Sequence, residues 1–157
     1  MRLLAATAII AFLVDQATKF LVIEGLGLME RGTIDVAPPF LRFVMAWNQG
    51  INFGVLASGS DAARWTLIAL SIFISGVVLW WARDKTGRPF LIGAGLVVGG
   101  ALGNVVDRIR FGAVADFLNM SCCGINNPYV FNVADIAIFA GAGLLILMSG
   151  GEKAKES

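Results

Sequence analysis

Two stretches of this chain carry no charged residue: 65–82, WTLIALSIFISGVVLWWA, and 90–106, FLIGAGLVVGGALGNVV. Wound as helices at 1.5 Å per residue, each is roughly 25–27 Å long, near the ~30 Å hydrocarbon core of a bilayer. Two other segments are nearly as apolar. In residues 3–23 the interruptions that stand out are Asp15, Gln16, Thr18 and Lys19, and in residues 131–149 Asn132 and Asp135. The reading is an integral membrane protein of one domain, 1–157, with four transmembrane helices at about 3–23, 65–82, 90–106 and 131–149. Composition agrees: 57% of residues are hydrophobic and 15% charged, whereas soluble domains run near half and a quarter. The first segment is too long, and too polar in its second half, for a cleaved signal peptide.

Lys and Arg in short connections set the orientation. Arg83, Lys85 and Arg88 crowd the connection RDKTGRP at 83–89; Lys153 and Lys155 lie in the tail and Arg2 at the start. An even number of spans places all of these on one side, expected to be cytoplasmic. The segments 24–64 and 107–130 then face outward. Within the first of them, Leu41, Phe43, Met45 and Trp47 alternate after Pro38 and Pro39, the pattern of a strand with one apolar face.

A net charge of +1 gives no basic surface for nucleic acid, and the absence of histidine removes the commonest metal ligand and general base. Cys122 and Cys123 are adjacent, a spacing that suits neither a zinc site nor an unstrained bridge, and read as loop residues. No metal and no cofactor are expected.

Ionisable groups inside spans are costly, so each needs a reason. Asp15 and Lys19 stand at i and i+4 on one helix face, either as a self-neutralising pair or as support for a polar site. Asn104, Asp107 and Arg108 share a face at the outer end of the third helix. Gly95, Gly99 and Gly103 repeat at the four-residue spacing that lets membrane helices approach closely. Asp116, in VADF, and Asp135, in FNVAD, lie nineteen positions apart at the two ends of one outward connection. Two readings stand for each acid. Asn132 can cap the fourth helix with Asp135 at its third position, and Asp116 can be a loop carboxylate paired with Arg108 or Arg110. Alternatively the two converge, share a proton, and hydrolyse an amide without histidine or metal. A Ser–Lys dyad is the competing chemistry, with Lys19 the one outward lysine and Ser58, Ser60 and Ser121 its conceivable partners.

Five motifs in order, DQATK at 15–19, NQGINFG at 48–54, GGALGNVVDR at 99–108, VADF at 114–117 and FNVAD at 131–135, resemble those of lipoprotein signal peptidase (signal peptidase II), from the first helix to the fourth. The resemblance implies a bacterial inner-membrane aspartic endopeptidase whose fold adds an outward β-cradle, here within 24–64, and a short outer helix to four spans; a monomer is the separate expectation for its assembly. It implies a diacylglyceryl-modified prolipoprotein substrate, cut just before the lipidated cysteine, with membrane lipid as surroundings and globomycin-type cyclic lipopeptides as inhibitors. Asp116 and Asp135 would be the catalytic pair, and Asp15, Lys19, Asn48, Gly50, Asn104, Asp107, Arg108 and Asn132 the supporting residues. Ile51, Asn52 and Ile136 depart from the usual small residues. The apolar face of 40–47 would clamp the substrate. Two other classes stand against this one: a small transporter or proton-conducting bundle with Asp15, Lys19 and Asp116 as relays, and a scaffold subunit whose acids only cap and pair.

Overall fold

A computed structural model describes residues 1–50, 60–121 and 127–153. Along the chain run α1 (Arg2–Lys19), continued to Gly25 by a π-helical turn, α2 (Leu28–Arg31), β1 (Thr33–Ala37), β2 (Leu41–Asn48), α3 (Asp61–Ala82), α4 (Arg88–Phe111), β3 (Val114–Met120) and α5 (Val133–Lys153). Three helical stretches, Arg2–Gly25, Asp61–Ala82 and Arg88–Phe111, are long and apolar enough to cross a membrane. The fourth expected span is helical too, but its apolar part, Val133–Ser149, falls among the shorter helices.

The ends of these helices follow local chemistry. The second begins before the uncharged run, at Asp61, because Ser60 caps it: Ser60 Oγ accepts the Ala63 N–H at 3.2 Å. The third runs beyond the expected 106 to Phe111. It stops where Gly112 turns left-handed (φ +80°) and donates its N–H to the Arg108 carbonyl.

α4 is the central helix. Its most apolar window is 72% buried, against 28% for α1 and 17% for α3. Glycine makes this possible. A methyl group at Gly95 would stand 2.7 Å from the Leu4 carbonyl, one at Gly99 would collide with the Ala8 carbonyl, and one at Gly103 would sit 2.6 Å from an Asp15 carboxylate oxygen. The expected glycine stripe therefore seats α1. On another side Gly93 and Gly100 meet Gly141 and Ala134 of α5. Leu4, Val78, Ala82, Phe90, Val97 and Leu145 close the core at the far end.

The expected helical chain with a small sheet is present, but the sheet is not confined to 24–64. The sheet has three antiparallel strands in the order β1-β2-β3, and the third comes from 114–120. VADF is strand, not loop. Pro38 and Pro39, joined by a cis bond, lie in the turn between β1 and β2. A bulge between Phe43 and Ala46 breaks the expected alternation of β2. Phe43 packs edge-on to Phe117 at 5.8 Å in a cluster with Val22 and Leu28, while Trp47 tilts against Phe111 at 5.4 Å. The two aromatics of the expected clamp thus serve different surroundings, and only Trp47, 41% accessible, remains open.

Candidate active site

β3 brings Asp116 opposite Ala46 and Val114 opposite Asn48. Asn48, at the end of β2, therefore reaches Asp116 along the strand pair, and its Nδ2 donates to Asp116 Oδ2 at 3.0 Å. The other end of the Asn48 amide is fixed, because Oδ1 accepts the Gly50 N–H at 3.0 Å. Gly50 is at φ +99°, and a side chain there would run into Leu67 of α3. Both facts require glycine.

The chain then returns to its own start. Phe131 pairs with Leu118 through reciprocal backbone bonds of 3.0 and 2.7 Å. Asn119 holds the connection by donating Nδ2 to the Asn127 and Tyr129 carbonyls. Asn132 consequently arrives beside Asp116.

Asn132 touches both acids. Its Nδ2 donates to Asp116 Oδ1 at 2.7 Å and to Asn104 Oδ1 at 3.1 Å. Its Oδ1 accepts the Asp135 N–H at 2.9 Å, and its own N–H donates to Asp135 Oδ2 at 3.2 Å. That reciprocal pair is a capping box at the start of α5. Asn104 Nδ2 closes the ring with 3.0 Å to Asp135 Oδ1. Capping and convergence are therefore one arrangement: the bonds that begin the helix also aim its acid at Asp116.

The two acids differ in setting. Asp116 is 2% accessible, whereas Asp135 is half-buried. Burial, reinforced by the neighbouring charge of Asp135, pushes the Asp116 carboxyl from 3.8 up to about 6, against the amides of Asn48 and Asn132 and the charge of Lys19. Arg108 does not pair with Asp116, contrary to the loop-carboxylate alternative; its guanidinium donates to the Asn104 carbonyl at 3.4 Å, within electrostatic reach of Asp135, Asp107 and Asp116.

Asp15, Lys19 and Asp107 form a buried ion triad, with Lys19 Nζ 2.8 Å from Asp15 Oδ2 and 2.6 Å from Asp107 Oδ2. Lys19 Nζ is thus engaged by two carboxylates and not by a serine hydroxyl, as a Ser–Lys dyad would require. Ser60 is a helix cap and Ser121 Oγ accepts the Asn127 N–H; Ser58, Ile51, Asn52, Cys122 and Cys123 lie outside the described residues. Gln16, noted in the sequence as a polar residue within the first span, was given no role in the site. Its Nε2 donates to Asp15 Oδ2 at 3.1 Å, Asp107 Oδ1 at 3.2 Å and the Gly103 carbonyl at 3.4 Å. Nothing local shows what it binds, since two of its partners stand some ninety residues away. Among the described residues no group of three or more His, Cys, Asp or Glu is placed to hold a metal ion.

A sequence model of the family described as signal peptidase (SPase) II matches residues 7–150. The lipoprotein signal peptidase of Sphingopyxis alaskensis is 38% identical over 152 residues, 96% of this chain and 87% of that protein. That of Rhizorhabdus wittichii is 42% identical over 142 residues, 89% of this chain and 81% of that one. Two solved bacterial membrane enzyme structures, each 26% identical, superpose with TM-scores of 0.79 and 0.77; they cover 97% and 91% of this chain, and 90% and 89% of theirs.

Proposed function

The chain belongs to the signal peptidase II family, and on that premise we propose that it works as an aspartic endopeptidase with Asp116 and Asp135 as its catalytic pair. As a member it is a multi-pass bacterial membrane protease that removes the signal peptide from lipoproteins, not a transporter or a scaffold. The observation that carries the aspartic reading is the double contact of Asn132, whose side chain holds Asp116 while its backbone holds Asp135.

The chemistry follows from two acids sharing one proton. Asp116, the more deeply buried, holds it and donates a hydrogen bond to the scissile carbonyl. Asp135 takes a proton from a water as that water attacks the carbonyl carbon. The tetrahedral intermediate collapses when a proton passes to the leaving amine and the C–N bond breaks, and the pair is left with one proton. Asn48, Asn104 and Asn132 keep the carboxylates aimed throughout. Gly50 frees the Asn48 turn, and Arg108 balances the site's negative charge.

In the finer reading the substrate is a prolipoprotein with diacylglycerol on its cysteine, cut just before that residue. α5 is the fourth span, both termini are cytoplasmic, and the pair faces outward where the acyl chains stay in the bilayer. The enzyme acts as a monomer, without metal or cofactor, and globomycin-type lipopeptides occupy the same cleft. Trp47 flanks the lipidated peptide.

The pH dependence of kcat/KM on such a substrate tests the dyad. Activity needs one shared proton, so the expected profile is a bell whose alkaline limb lies near the Asp116 value of about 6. Substrate excludes water and deepens burial, so the limb in kcat should lie higher still. A rate that climbs steadily from neutral to alkaline pH, as a lysine base demands, would sink the proposal.

A further inference from the structure

Two backbone N–H groups of the site point into buried carboxylates. The Ala115 N–H, immediately before Asp116, donates to Asp107 Oδ2 at 3.2 Å. The Ala134 N–H, immediately before Asp135, donates to Asp15 Oδ1 at 2.9 Å. One carboxylate of α4 thus grips the strand that carries the first catalytic acid, and one carboxylate of α1 grips the helix that carries the second. Lys19 joins the two carboxylates, at 2.8 and 2.6 Å, and Gln16 joins them again through a single amide nitrogen.

We propose that Asp15, Gln16, Lys19 and Asp107 form a registering clamp that sets the separation of Asp116 and Asp135, with Gln16 and Lys19 as positioning residues. The inference rests on the aspartic reading given above and adds how the pair is held at a working distance. The two acids repel when both are ionised, and β3 and α5 are separate elements joined through residues 121–132. The ring of asparagine amides spans the gap on the catalytic side. The clamp spans it from behind, through main-chain atoms one residue from each acid. Asp15 is fully buried, Asp107 1% and Lys19 5% accessible, so these bonds face no competition from water. Gly103 leaves the space that the Asp15 carboxylate occupies and lends its carbonyl to Gln16. The Gln16 amide supplies a second bridging donor beside Lys19 without adding charge.

A clamp that sets separation acts on chemistry rather than on affinity. A misplacement of ~1 Å costs up to roughly a hundredfold in rate. Gln16→Leu, which keeps the ion triad, is expected to lower kcat by roughly tenfold to a hundredfold while KM stays within about twofold. The alkaline limb of its kcat/KM profile should also move to lower pH, because acids set further apart repel less. Asp116 is faced by Asp135 on α5, Asn48 on β2, Asn132 before α5, Arg108 on α4 and Lys19 on α1; the substitution alters none of them. Lys19→Met should lower kcat more strongly, but it also removes a charge that lowers the Asp116 carboxyl, so only its kcat and KM bear on the clamp; if it does not fold, Gln16→Leu decides alone.

Asp116→Asn and Asp135→Asn run beside these variants, on a diacylglyceryl prolipoprotein with purified full-length enzyme. If both are inactive, and folded Gln16→Leu keeps the wild-type kcat and alkaline limb, the clamp is overturned while the dyad stands. If either aspartate variant retains full activity, the dyad falls and the clamp with it. A slower kcat, an unchanged KM and a displaced limb together uphold the clamp.

Discussion

Asn132 shows how much one side chain can settle. It caps α5, receives the Asp135 N–H, and donates to Asp116 and Asn104, so its loss opens the ring on two sides. Asn132→Ala should cost about 1 kcal/mol of stability for the cap, seen as a lower Tm, and roughly a hundredfold in kcat for lost aim. Asp116 supplies a second prediction at this scale. Its carboxyl binds a proton more tightly in the folded protein than its ordinary 3.8 allows, up to about 6. A raised carboxyl favours folding most below the unfolded value, and that advantage is lost as pH rises through the folded value. Wild type should therefore lose stability relative to Asp116→Asn between about pH 4 and 6, read from Tm across that window. The candidate acids themselves were legible in the sequence, because a carboxylate in an apolar chain is conspicuous. The role of Gln16 was not, because its partners Asp107 and Gly103 lie on α4 and are brought against it only by the fold.

Among the elements, α4 and β3 contrast in what their sequences disclose. The Gly95, Gly99 and Gly103 stripe announced a close helix neighbour, and α1 lies there. A branched side chain at Gly99 has no room beside the Ala8 carbonyl and Ala11, so Gly99→Val should lower stability by about 1–3 kcal/mol. Gly76→Ala on α3, where nothing lies within 4 Å, should instead be neutral or raise Tm slightly, since alanine suits a helix better. β3 gave no such signal. Four of its first four residues are buried and Asn119 after them, so the strand lacks the contrast between faces on which a period of two depends. β1 was missed for the opposite reason: it is short and almost wholly exposed. The bulge in β2 is likewise invisible in an alternating pattern, and it is what separates Phe43 from Trp47. Phe43→Ser should therefore act on Tm, and Trp47→Ser on cleavage with little change in Tm.

At the scale of the molecule, four apolar segments and their charged connection were readable because a bilayer imposes length and charge rules on any chain that crosses it. Where those segments end was less readable, since Ser60 and Gly112 set the termini by local bonding and not by hydropathy. The proposed topology places the 83–89 connection and both termini on the cytoplasmic side. Single cysteines introduced at Lys85 and Ser157, in a background with Cys122 and Cys123 replaced, should resist an impermeant thiol reagent added to intact cells. Labelling of only one of them would remove α5 as a span. The whole fold then serves one end: α1, α4, α5 and the sheet meet where two acids are held together by amides in front and by an ion triad behind. The most direct test is the single-turnover rate of purified Asp116→Asn and Asp135→Asn on a diacylglyceryl prolipoprotein. Both should fall by roughly 10²–10⁴-fold or more with the fold intact, whereas a wild-type rate in either folded variant would contradict the account.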